Sequence, residues 1–232
     1  MRGSPGRRLG GHSYAAHDVR PYVLTRAAAE SASVCCYVAD PAADARERLR
    51  RSMNLRLDGM CEQFIMLRSV GSVDATREIA YIEQRVAAFS RAAAAHGFAF
   101  HKADGRGRSA YLDDKLPSAM KLMDACASDT PGLGIAYQRL LSAVTHGKLH
   151  GLSRFLMATE AAGRHGSPQV ELNVPARTFA LDLLAGPLCA STVIERLAWF
   201  TGWDTDDMER PVVEMLHTWG RIARVPYPGP DW

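Results

Sequence analysis

Alternating strand patterns are almost missing from this sequence, and long Ala-, Leu- and Arg-rich segments stand in their place. That excludes a sheet-based architecture and predicts an all-α fold. Five cysteines, an odd number with no C-x-x-C among them, fit neither a disulfide framework nor a zinc site. A reduced, cytoplasmic setting is the simplest expectation. No Walker A sequence occurs, no G-x-G-x-x-G follows a strand, and there is no G-x-S-x-G elbow. The nucleotide-dependent and hydrolase chemistries built on those loops are excluded with them. One sign of charge barely dominates: 28 Lys and Arg face 25 Asp and Glu, a formal +3. A nucleic-acid-binding domain usually carries a stronger basic footprint.

Long apolar runs are missing too. The longest stretch, Phe179 to Ile194, is interrupted by Asp182 and the pair Gly186-Pro187. A membrane span needs ~20 apolar residues, so this stretch reads as a buried, kinked core helix and no membrane is expected. The basic, Gly-rich start from Met1 to Gly11 leads into no apolar segment of secretory type. Residues 1–17 therefore read as a flexible solvated leader. Residues 226–232 carry three prolines in seven positions and form a tail that cannot be helical.

What remains is ample for a core: 232 residues, 47% apolar and 23% charged. Residues 18–225 read as a single bundle of about seven or eight helices. Helices are predicted over Pro21–Ala39, Ala42–Ser69 with an Arg-rich start, and a third segment capped by Asp74 and ending at Ala95. Residues 101–110 form a polar loop with a basic tip at Arg106 and Arg108. Further helices are predicted over Lys115–Cys126, Gly134–His146, Lys148–Ala162, Arg177–Thr201 and Thr205–Ala223. Val170–Val174 alternates and reads as one extended segment. The aromatic positions Trp199, Phe200, Trp203 and Trp219 fit core packing better than a pocket lining.

Two groups of polar residues sit on otherwise apolar helices. Arg26 and Glu30 are four apart, with Ser33 and Tyr37 on the same stripe. They form either an intrahelical ion pair closing a seam or a pocket in which Arg26 holds an anion and Glu30 accepts a proton. Further on, Tyr137, Arg139, Ser142 and His146 share a helix, and seven residues leave Arg139 and His146 about 20° apart around it. His moves protons near neutral pH, and Arg offers a fork to phosphate, sulfate or carboxylate. His150 and Arg154 would extend this stripe beyond Gly147. His146 and His150 also have a spacing zinc can use, but no third ligand is marked and no metal is expected. Asp182 reads as a buried carboxylate serving either as a base or as a hydrogen-bond acceptor at a helix terminus.

Arg139, six intervening residues and His146 resemble the R-x4-6-H pattern of HEPN-type helical proteins. The likeness spans roughly residues 20 to 160. It implies a dimeric, metal-independent helical ribonuclease or toxin with Arg139 and His146 at the subunit interface. Leu140 departs from the pattern, which has a polar residue after its Arg, and no concentrated basic-aromatic surface for RNA is visible. The Ala- and Arg-rich composition is also similar to that of actinobacterial proteins of specialised metabolism.

Three functions follow. The first is a small-molecule enzyme with an anion site of Arg26, Arg139 or Arg154 and a base in Glu30 or His146. It would eliminate or internally displace a sulfate- or phosphate-type group without a cofactor. Tyr37, Tyr137, Ser142, His150 and Asp182 would help to bind its small anionic substrate. The second is the HEPN-like ribonuclease, with RNA as partner and a homodimer as its form. The third is a non-catalytic scaffold with a protein partner.

Overall fold

The computed structural model describes residues 20–102, 110–127, 131–152, 156–162, 168–172, 176–204 and 206–224. The chain is an all-α bundle. Helix α1 (Arg20–Val38) ends before Asp40, whose Oδ1 accepts the Ala42 N–H at 3.0 Å and turns the chain. Helix α2 (Ala45–Val70) is capped by Asp44, which accepts the Glu47 N–H at 2.7 Å, and stops at Gly71 in the left-handed region. Ser72 then caps α3 (Val73–Ala95) through the Ala75 N–H at 3.1 Å. Capping thus falls on Asp44 and Ser72, correcting the expected starts at Ala42 and Asp74, because each side chain reaches an orphan N–H of the first turn.

Between α3 and α4 (Ala119–Cys126) lies a short antiparallel pair, β1 (Phe100–His101) and β2 (Tyr111–Leu112). Helix α5 (Leu133–Thr145) follows α4 at close range. A Cβ on Gly134 would stand 2.4 Å from the backbone of Met123 and Asp124, so only glycine permits this approach. Asp124 accepts the Gly134 N–H at 3.1 Å and occupies the positive end of α5.

The segment after α5 departs from expectation. In place of one helix over Lys148–Ala162, a single turn α6 (Leu149–Leu152) is followed by strand β3 (Leu156–Ala162), paired antiparallel with β4 (Pro168–Leu172). Gly147, at φ +61°, ends α5, and cross-strand pairing overrides the helical propensity of the Ala-rich stretch. The expected extended run is therefore real but begins at Pro168 and has a partner. The apolar segment Arg177–Thr201 is likewise two helices, α7 (Ala176–Leu183) and α8 (Ala185–Thr201), meeting at Leu184. Helix α9 (Asp206–Ala223) closes the described chain. The leader, the tail and the loop tip bearing Arg106 and Arg108 lie outside the described residues.

Two cores result. Tyr22, Ala29, Cys36, Met123, Leu141, Leu183 and Cys189 join α1, α4, α5, α7 and α8. Leu57, Met60, Ile82, Phe98 and Leu112 form a second core between α2, α3 and the β1–β2 pair. Helix α1 lies along α8 by virtue of small residues. Gly186 there faces Thr25, with only 3.2 Å for an added Cβ. The Ala176–Thr201 segment is long and apolar enough, by length and composition, to cross a membrane.

Candidate functional site

Helices α1 and α5 bring three of the candidate residues together. Arg26 Nε donates to Glu30 Oε1 at 2.8 Å, one helical turn away, and Arg26 Nη1 meets His146 Nε2 at 3.1 Å across 120 residues of sequence. Guanidinium has donors only, so the Nε2 of His146 must be the acceptor. His146 is the C-cap of α5, its N–H donating to the Ser142 carbonyl at 3.0 Å. The Arg26 charge therefore sits at the negative end of that helix, where a cation is favoured. Arg26 and Glu30 are 21% and 31% exposed and His146 lies at the surface, so all three can be reached from solvent. Ser33, next along the α1 stripe, is buried and donates to the Glu30 carbonyl at 2.8 Å.

The other candidates fall elsewhere. Arg139 is exposed on α5, two turns before His146, and makes no ion pair among the described residues. Ser142 is half-buried on the same helix. His150 lies on α6, beyond the break at Gly147, so His146 and His150 do not share a helical face as their spacing suggested. Among the described residues no group of three or more His, Cys, Asp or Glu is arranged to hold a metal ion. Arg154 lies outside the described residues.

Tyr137 and Asp182 belong to the first core. The Tyr137 hydroxyl donates to the Leu181 carbonyl at 2.9 Å, and burial, reinforced by the negative charge of Asp182, pushes its pKa up to about 12. Asp182 is 3% exposed and accepts a long, 3.4 Å bond from the Tyr22 hydroxyl in the first turn of α1.

Tyr37 is drawn into a different cluster, one not anticipated as a unit. The Arg51 guanidinium lies 4.5 Å from the Tyr37 ring centroid, donates to the Tyr37 carbonyl at 2.6 Å, and pairs with Asp40 at 2.9 Å. Arg50, 8% exposed, grips both Glu47 oxygens at 2.6 Å. Those bonds from Arg50 hold the Glu47 carboxyl down to about 2, with Arg51 assisting. Arg50 also donates to the Asp114 carbonyl at 3.0 Å, and Arg46 donates to Gly97 O at 2.9 Å beneath Phe98. The Arg-rich start of α2 is thus a clasp that fastens the β1–β2 pair and the end of α1. The spacing of Glu47 to Arg50 and Arg51, three and four residues, was the sequence signal for it.

Three thiols from α1, α4 and α8 also meet in the first core. Cys36 and Cys126 Sγ atoms are 3.2 Å apart, and Cys189 adjoins Cys126, each residue being 1% exposed. Hydrogen bonding from Cys189 and Cys36 holds the Cys126 thiol below its ordinary range, and the same contacts with burial push its two neighbours up. The aromatics near the end of α8 are a correction. Trp199, Phe200 and Trp203 are more than half exposed, with Arg48 stacked 5.4 Å and 5.5 Å from the first two rings. Trp219 alone of the four packs on the core, donating to Ala180 O at 2.6 Å.

No family model, curated protein or solved structure matches this chain.

Proposed function

We propose that the chain is an enzyme acting on a small anionic molecule at Arg26, Glu30 and His146. The bond from Arg26 Nη1 to His146 Nε2 carries this reading. Glu30 fixes the guanidinium through Nε, and its bond to Arg26 gives it a positioning role in preference to that of a base. An incoming sulfate- or phosphate-type group competes for the outer guanidinium nitrogens and releases the Nε2 lone pair of His146. That lone pair then serves as the base. An amine or hydroxyl of the same molecule attacks the carbon bearing the anionic group. The carbon–oxygen bond breaks with its electron pair leaving on that group, the proton of the nucleophile passes to His146, and Arg26 retains the departing anion.

The test is a titration with inorganic sulfate and phosphate, followed through the imidazole nitrogens of His146 by NMR. The reading predicts a saturable change at His146 that Arg26→Gln abolishes. No response of His146 to either anion would sink it.

A second reading, the HEPN-like ribonuclease, draws support from the exposure of Arg139 and His146 on one helix, open to a second subunit. RNA cleavage that His146→Ala and Arg139→Ala each eliminate, in a dimeric protein, would favour it over the first.

A further inference from the structure

The cleft between α2 and α3 takes no part in the chemistry above. Phe64 on α2, Ile82 and Val86 on α3, and Phe100 beside Ala110 on the β1–β2 side wall a space of about 860 Å³. Small-molecule sites commonly enclose about 300–1,000 Å³ of mostly apolar surface with a few polar groups that set orientation. Among the described residues the charged groups here are Arg68 on α2, Lys102 after β1 and Glu83 on α3: two cations against one carboxylate. Neither Arg68 nor Lys102 makes an ion pair with a described residue, and Arg68 rests 5.6 Å from the Phe64 ring centroid, against the apolar wall. An occupant that satisfies both parts has an apolar body and one negative head. A second copy packed symmetrically here would bring four cations to two carboxylates and double the uncompensated positive charge, and a cationic or neutral apolar molecule would supply no counter-charge.

We infer that the α2–α3 cleft binds a free anionic amphiphile, a long-chain carboxylate, with its chain between Phe64, Val86 and Phe100 and its head at Arg68 and Lys102. Dodecanoate, below its micelle concentration, is the probe for calorimetric titration of the full chain, with dodecanol and dodecyltrimethylammonium as controls. Dodecanoate is expected to bind one to one, and dodecanol about tenfold more weakly, the equivalent of one modest charge contact. Ser90→Trp, which fills the cleft from α3, should abolish binding of both. The exposed pair Arg68→Glu and Lys102→Glu should weaken dodecanoate at least about tenfold and leave dodecanol unchanged. Equal affinity for the carboxylate and the ammonium would overturn the inference. So would carboxylate binding that survives the charge reversal, or a dimer by light scattering that binds none of the three.

Discussion

Asn54 and Leu112 hold each other by two hydrogen bonds, Asn54 Nδ2 donating to the Leu112 carbonyl at 3.2 Å and the Leu112 N–H donating to Asn54 Oδ1 at 2.7 Å. The side-chain amide acts as a third strand beside β2, and both residues are almost wholly buried. Asn54→Ala leaves that N–H unpaired in the second core and weakens the tie to the Asp114 carbonyl, which Asn54 also reaches at 2.8 Å. The expected loss is about 2–4 kcal/mol, read as a lower urea midpoint at constant slope. A variant within about 0.5 kcal/mol of the parent would contradict the pairing.

Acid should loosen the α2 clasp. The Glu47 carboxyl is held down to about 2 in the folded chain, below its ordinary value of 4.5, by Arg50 foremost. A depressed carboxyl stabilises the fold above its unfolded pKa, and the contribution disappears as pH falls from about 5 toward 2. Because Glu47 is 31% exposed, solvent screening limits the effect to about 1–2 kcal/mol. Glu47→Gln should flatten the acid limb of stability against pH over that window. An unchanged acid limb would remove Glu47 from the account.

The cysteines should separate by location and not by intrinsic reactivity. Cys35 is exposed, whereas Cys36, Cys126 and Cys189 are buried. Iodoacetamide on the native protein is expected to modify Cys35 first. The three core thiols should react only at the rate of global opening, despite the lowered thiol of Cys126. Peptide mapping that finds Cys126 modified as fast as Cys35 would refute the burial.

Two glycines test two different constraints. Gly134→Ala forces a methyl to 2.4 Å from the Met123 and Asp124 backbone, which must part α4 from α5 at a cost of about 2–3 kcal/mol. Gly147→Ala meets open space but keeps φ at +61°, costing about 1–2 kcal/mol. Thermal melts should rank the first variant below the second, and the reverse order would mean that the helices yield more easily than the turn.

Helical periodicity made most of the bundle legible, since Ala, Leu and Arg dominate and the breaks fall at Asp40, Gly71 and Gly147. What escaped was long-range. Nothing local in Leu156–Ala162 marks it as a strand, because its partner Pro168–Leu172 supplies the missing half of the pattern. The convergence of Arg26 with Glu30 was visible as a four-residue spacing, but its link to His146 crosses between helices and no spacing encodes it. Trp199 and Trp203 were misplaced because aromatic residues at helical intervals look alike whether a neighbouring helix covers them or not. The α2–α3 cleft was equally hidden, because Phe64 and Val86 come to wall one space only when the two helices are packed together.

Helix α3 rests on α2 and touches β1, while α1, α4, α5, α7 and α8 keep a core of their own. Amides along α3 are therefore expected to trade hydrogen for deuterium faster than those of the thiol-bearing core. A guest between the second and third helices would touch the core of Leu57 and Ile82 and leave the one that holds Cys36 and Leu141 as it is.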